Sequence, residues 1–316
     1  MLSLLPLAIV GLSSGCKNGG NSAAELTSDV SDRYCLRIGL LPTYECLPFY
    51  VAEHYGLCDS LGLCLKTSPY MSSMDVDTAF FRGHVDCSVS DLVKCSIIES
   101  RGDSVRAIFC SDLDISIVSS KTSRLSDVKN IKEKIFALTR NSVLDLYADN
   151  LLSSVKLESI DLNKPQINNL EIRTSMLLQN QYDGAFLPEP WSSIAVAGGC
   201  TKISNTHDIS DMSDMFCILV HDSLLTHRSC EIKKLIVCYN QAVDYINSHP
   251  NQRNDFLSLL SLPNLYPDSL SLPLPHYSHA RRIPEASLSK CRQWSLGRGL
   301  IEKRKIHSII DSTLVL

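Results

Sequence analysis

EIRTSMLLQNQYDGAFLPEPW, residues 171–191, holds helix, turn, buried strand and stop in a single run. Met176, Leu177 and Leu178 close an amphipathic turn, and Gln179-Asn180-Gln181 ends it. Gly184 to Leu187 is a short apolar run of the kind found in a sheet covered on both faces. Pro188 and Pro190 have no N–H to give, so ladder pairing stops there. Glu189 and Trp191 are thereby delivered just past the carboxyl end of a strand, where open α/β sheets bind ligands. Thr78 to Asp91, TAFFRGHVDCSVSD, repeats the pattern: a helix ends near Gly83, and a strand over Val85 to Val89 ends in Ser90-Asp91. Two such units suggest two α/β halves facing one another across a cleft. The plainer reading is the repetition of helix–turn–strand units common to α/β chains.

At 316 residues the chain exceeds the size at which one core usually stops growing, so two domains are expected. A net charge of −4 argues against a nucleic-acid binder. No apolar run is long enough for a membrane-spanning helix. Leu2 to Leu12 has the length of a signal h-region, and Ser13-Ser14-Gly15-Cys16 follows it. Small residues directly before a cysteine resemble the lipobox of bacterial lipoproteins, which makes Cys16 the expected lipidation site. No Lys or Arg precedes the run. Residues 17–33 then read as a polar linker. Twelve further cysteines lie mostly inside apolar runs, as Cys87, Cys110, Cys217 and Cys238 do, and read as small buried hydrophobes rather than disulfide partners. Only Cys58 and Cys64 have local loop spacing.

Working outward from the quoted stretch, residues 35–67 read as strand, crossover helix and parallel strand, with Pro48 in the helix's first turn. Ser72-Ser73 caps a helix bearing Val76, Ala79 and Phe80, and Ser90-Asp91 caps the next. Val105 to Phe109 and Ile115 to Val118 are strands, and a second half starts near Ser120. Thr139-Arg140-Asn141-Ser142 joins a strand over Lys134 to Leu138 to a helix through Tyr147, a junction of the type that holds anions. Plain helix capping by Asn141 or Ser142 is its structural alternative. Pro165 to Leu170 reads as a strand. Met215 to Val220 is a strand crossing back to the first half, and the rest is mostly helical. Asp86 and Asp183 read as turn residues. His276 and His279 sit in a loop after Pro275 and are not read as metal ligands. No zinc-protease, hydrolase-elbow or P-loop motif occurs.

Several of these segments, in their order, resemble one family. RIGLLPTYECLPFYVAEHYGLCDSLGL (residues 37–63), MDVDTAFFRGHVDCSVSD (74–91), NQYDGAFLPEPW (180–191) and IVCYNQAVDYINSHPNQ (236–252) look like the solute-binding proteins of the sulfonate, nitrate, taurine and thiamine-precursor type. Trp294 with Gly299-Leu300-Ile301 resembles that family's closing segment. The resemblance implies an α/β, type II periplasmic-binding fold. Lobe 1 would be discontinuous, residues 34–119 and 213–316, and lobe 2 would span 120–212. It also implies a monomeric, lipid-anchored, extracytoplasmic receptor that delivers a small solute to the permease and ATPase of an ABC importer, with no cofactor. Positions matching the family's cleft are Thr43, Tyr44, Glu45, Ser72, Ser73, Ser90, Asp91, Asn141, Ser142, Glu189 and Trp191, with Arg140 at the anion-type junction. Glu45, Asp91 and Glu189, with Tyr44 and Trp191, suit a nitrogen heterocycle such as a pyrimidine. Arg140 points instead to a nitrate- or sulfonate-type anion. The alternatives are an enzyme on this fold, of the pyrimidine-precursor synthase or menaquinone-pathway type, and a periplasmic sensor domain. Hinges are expected near Val118 to Lys121 and Ser213 to Cys217.

Overall fold

The architecture follows from two mixed sheets that exchange strands. A computed structural model describes residues 35–206, 212, 214–262, 272, 274–302 and 309–310. Cys16 and the 17–33 linker lie outside the described residues. Leu36–Leu316 is one compact unit.

The first sheet begins with β1 (Leu36–Leu40), which leads through α1 (Leu47–His54) to parallel β2 (Leu65–Pro69). Pro48 near the start of α1 needs no hydrogen bond there. The helix α2 (Ser73–Phe81) then delivers β3 (Cys87–Asp91) parallel to β1. The order is completed by β9 (Phe216–His221) and β4 (Val105–Ser111), with β9 antiparallel to both its neighbours, giving β2-β1-β3-β9-β4. The second sheet has the order β6-β7-β5-β8, built from β5 (Ile115–Ser119), β6 (Phe136–Ala137), β7 (Gly184–Pro188) and β8 (Thr201–Asn205). Here β6 and β7 are parallel, while β5 runs antiparallel to β7 and β8.

The chain passes between the sheets twice, over Asp112 to Asp114 and again between Asn205 and Phe216, and each passage leads into the antiparallel strand of the sheet it enters. Ile115–Ser119 was expected in the first half. Its ladder with β7, from Ile115 opposite Pro188 to Ser119 opposite Gly184, puts it in the second. Pro165 to Leu170 does not form the strand expected of it. Gln166 makes one isolated bridge to Leu138, and Leu170 opens a helix. Gly184 permits close approach at the β6–β7 pairing, where a Cβ would lie 2.2 Å from the Phe136 ring.

Five more helices in the order of the chain matter for the site. They are α3 (Leu92–Arg101), α4 (Val143–Ser154), α5 (Leu170–Leu178), α6 (Trp191–Ala197) and α7 (Asp222–Ser248), which contains a non-helical residue at Arg228. The small α8 (Arg253–Ser258) and then α9 (Glu285–Gly297) follow. From α9 and the turn after it, Trp294 Nε1 donates to Asp149 of α4 at 2.9 Å, and Arg298 donates to Ser159 at 2.8 Å. So the C-terminal helix ties to the second half. Asp86 pairs with Arg37 at 2.8 Å, and Asp183 accepts from the Ile135 amide at 2.9 Å.

The cysteine reading is corrected at Cys35, Cys58, Cys64 and Cys238, all of them disulfide-bonded. Cys58 and Cys238 form a disulfide, fastening the segment after α1 to α7 across 180 residues of sequence. Cys87, Cys95, Cys110, Cys217 and Cys291 are free and buried, as apolar runs would have them.

Candidate functional site

The parallel strands of both sheets aim their carboxyl ends at the same region. There β1 gives way to Leu41–Glu45, β3 ends in Ser90-Asp91, β6 leads to Thr139–Ser142, and β7 ends at Pro188. Between them is a cavity of about 80 Å³, room for several waters or a compact solute. Its wall includes Leu41, Val89, Leu113, Ile115, Leu170 and Phe216, with a few polar groups set among them.

Of the residues singled out in the sequence, Glu45, Ser73, Ser90, Asp91 and Ser142 line this cavity. Asp91 and Ser142 are helix caps. Asp91 Oδ1 accepts from the amides of Val93 and Lys94, both at 3.0 Å, and Ser142 Oγ accepts from the Leu144 amide at 3.2 Å. The same Asp91 oxygen also accepts from the Val143 amide at 3.2 Å. One carboxylate oxygen thus caps α3 and reaches the first turn of α4 in the other half. Ser90 Oγ is buried with no hydrogen-bond partner among the described residues. An orphan hydroxyl on a cavity wall is a group waiting for a ligand atom or water.

The other positions lie elsewhere. Ser72 caps α2, accepting from the Asp75 amide at 3.2 Å. Thr43 is buried and donates to Cys46 Sγ. Tyr44 donates its amide to the Glu189 carbonyl at 2.9 Å, joining the tips of β1 and β7. The Glu189 side chain accepts from the Ser193 amide at 3.1 Å and lies 3.6 Å from Lys202. Trp191 is completely buried, with Nε1 donating to the Pro42 carbonyl at 2.9 Å. It packs with Leu170, Leu177, Tyr182 and Leu187 in the core of the second half. The pair of aromatics that suited a heterocycle is therefore absent from the cavity wall. Arg140 and Asn141 line a separate outer groove of about 620 Å³, bounded by α2 and α3 and sharing Lys94 and Thr139 with the cavity.

Thr139, from the anion-type junction, also lines the wall, and three polar wall residues were not singled out in the sequence: Lys94, Asn168 and Arg173. Arg173 is fully buried. Its guanidinium donates to the carbonyls of Ile167 at 2.7 Å and Phe186 at 2.9 Å, and to Thr139 Oγ1 at 2.7 Å. Every acceptor is neutral, so the charge is held by dipoles alone, and burial pulls its pKa down to about 10. Its signal in the sequence was its place on the apolar face of α5, in phase with Leu170, Thr174 and Leu177. Lys94 is spoken for, 2.5 Å from Asp77.

The opposite wall is acidic and strained electrostatically. Burial pushes Glu45 up to about 7, helped by Asp114 and Glu189 nearby. Burial likewise pushes Asp91 up to about 6, although Lys94 and the amides it accepts pull the other way. The cavity therefore sets a guanidinium on the second-sheet side against two carboxyls on the first-sheet side. A solute that offers an anionic or acceptor end to one and a donor end to the other meets both.

No family model matches the sequence, and no curated protein does. Solved structures do. The alkanesulfonate-binding protein SsuA from Xanthomonas axonopodis pv. citri, bound to MOPS, superposes with a TM-score of 0.70 at 16% identity, over 86% of this chain and 96% of that one. The periplasmic nitrate-binding protein NrtA from Synechocystis PCC 6803 gives a TM-score of 0.72 at 10% identity, over 85% of this chain and 83% of its own. The fold is that of the periplasmic binding proteins. The desulfurization enzyme DSZB superposes with a lower TM-score of 0.61 at 12% identity, over 84% of this chain and 93% of that one.

Proposed function

We propose that this protein is an extracytoplasmic solute-binding receptor of an ABC importer, binding a small polar solute between its two halves. The observation that carries this is the cavity at the carboxyl ends of both sheets, with an orphan Ser90 hydroxyl, a buried uncompensated Arg173 and the acidic pair Glu45 and Asp91 around it. The fold, the solute-binding proteins that share it and the lipobox-like Ser13 to Cys16 support the same reading. In it the first lobe comprises the β2-β1-β3-β9-β4 sheet and the second the β6-β7-β5-β8 sheet, and Cys16 carries the lipid anchor. The monomeric receptor hands its solute to a permease and ATPase. No described helix is long and apolar enough to cross a membrane.

Function here is closure. A solute touching both walls binds the closed arrangement more tightly than the open one and shifts the balance between them. In this reading a hinge lies over Asp112 to Asp114, before β5, rather than at Val118 to Lys121, whose first two residues are inside that strand. The wall favours a compact solute with both acceptor and donor ends over a flat heterocycle, because neither Trp191 nor Tyr44 lines the cavity.

A thermal-shift screen of the purified protein against sulfonates, amino-sulfonates, nitrate, pyrimidines and polyamines tests the proposal. A solute at about a hundred times its dissociation constant adds roughly 2.7 kcal/mol of stability. A hit whose shift shrinks when the cavity is altered at Ser90 or Glu45 supports a receptor. Stabilisation unaffected by both changes would place the solute elsewhere and sink the assignment of this cavity. The likeness to DSZB keeps an enzyme as the second reading, and consumption of the stabilising compound on incubation would select it.

A further inference from the structure

The outer groove holds more positive charge than its surroundings explain. Arg82, Arg101 and Arg140 all line it, beside the Lys94–Asp77 pair. Among the described residues none of the three arginines has an ion-pair partner, although the chain as a whole carries a net charge of −4. Two of the three have a local reason to be where they are. Arg82 follows the last residue of α2, and Arg101 is the last of α3, and cations there complement a helix dipole. Arg140 has no such reason. It lies two residues before the α4 cap Ser142, at the positive end of that dipole, where a cation is disfavoured.

At about 620 Å³ the groove has the size of a small-molecule site. Apolar side chains, Phe81, Ile97 and Ile98 among them, line it beside the arginines. Lys94 and Thr139 belong to the groove and to the inner cavity alike, so the two spaces adjoin. Lys94 is neutralised by Asp77, which leaves three unopposed guanidiniums. Three planar forks suit an oxyanion with two or more charges better than a monoanion, since a single negative charge would leave most of the repulsion among them standing.

We propose that this groove is a second anion subsite, where Arg82, Arg101 and Arg140 hold a phosphate- or pyrophosphate-type group of a solute whose compact end enters the cavity. The placement of that compact end rests on the receptor reading above. The groove's affinity for a multivalent oxyanion does not.

The probe is inorganic pyrophosphate, titrated calorimetrically into the purified protein at low ionic strength. Pyrophosphate is expected to bind. The triple variant Arg82→Ala, Arg101→Ala, Arg140→Ala should bind it roughly tenfold or more weakly, with the melting temperature of the unliganded protein little changed because all three side chains are exposed. Absence of binding, or equal binding by the triple variant, overturns the proposal. So does binding confined to vesicles containing phosphatidic acid, which would make the groove a lipid contact. A monovalent solute found by the thermal-shift screen should bind the triple variant as it binds the parent. If it does while pyrophosphate fails, the groove assignment is lost and the receptor stands. If pyrophosphate binds through the arginines and no solute ever occupies the cavity, the groove stands and the receptor reading falls.

Discussion

At the scale of single residues, the cavity wall separates groups that hold the fold from groups left over for a ligand. Ser90 is the clearest of the second kind, since its hydroxyl is buried and has no partner among the described residues. Ser90→Ala should therefore leave the urea midpoint nearly unchanged while weakening the solute by about 0.5–1.5 kcal/mol, some two- to tenfold, in a calorimetric titration. A large stability loss with intact affinity would show instead that the hydroxyl serves the core. Glu45 makes a different prediction, because its pKa is pushed from 4.5 up to about 7 by burial. The folded protein holds that proton more tightly than the unfolded chain does. Its contribution to stability is thus fully present below about 4.5 and is lost as pH rises toward 7. Asp91 behaves alike between 3.8 and about 6, so the Glu45 effect stands alone only above that range. Denaturation at pH 6 and at pH 7.5, chosen to bracket about 7, should show the parent losing stability that Glu45→Gln keeps. Parallel profiles for the two proteins would mean that Glu45 is hydrated in solution.

At the scale of elements, the disulfide between Cys58 and Cys238 fastens two segments that already pack, α1 and α7. Closing a loop of that length constrains the unfolded chain strongly, and its loss typically costs about 2–5 kcal/mol. The double variant Cys58→Ser, Cys238→Ser should lower the denaturation midpoint accordingly, and a reducing agent should bring the parent down toward it. A midpoint that ignores both treatments would show that the bond adds no stability. This pair also marks what a sequence can and cannot display. The β1–α1–β2 unit, the ends of β3 and β7 and the caps at Ser72, Asp91 and Ser142 were legible, because apolar period, proline and cap chemistry act within a few residues. Cys238 inside an apolar helix carries no local sign of a partner 180 residues away. The run Ile115–Ser119 is equally apolar on whichever sheet it joins, so its true ladder with β7 could not be read from it. Trp191 looked like a strand-tip side chain. In fact Pro190 precedes α6, and the helix turns the indole inward to the Pro42 carbonyl. Arg173 was visible as a cation on an apolar helix face, but most of what satisfies it, a strand carbonyl and the Thr139 hydroxyl besides the carbonyls just before its own helix, is tertiary.

At the scale of the whole molecule, the two halves share an apolar core and several directional bonds, those of Trp191, Trp294 and Arg298 described above and three more. The Leu170 amide donates to the Met71 carbonyl at 2.9 Å, the Tyr44 amide to the Glu189 carbonyl at 2.9 Å, and the Val143 amide to Asp91 at 3.2 Å. The last of these three differs from the other two in using a side chain, and a charged acceptor makes the stronger bond. It also involves the positive ends of two helices, α3 and α4, converging on one carboxylate. Asp91 therefore acts as an internal anion that helps hold the halves together over the cavity. Asp91→Ala should release that hold, so that small-angle scattering of the solute-free protein gives a larger radius of gyration than the parent's. The variant also loses the α3 cap, which costs about 1 kcal/mol of stability, so circular dichroism must first show that the helix content survives. Adding a saturating solute should then bring the radius back to the parent's value, because the solute supplies the contact between the walls that the carboxylate did. Identical radii in the solute-free parent and variant would mean that the other bonds and the shared core suffice to keep the halves closed, and that the carboxylate serves α3 alone.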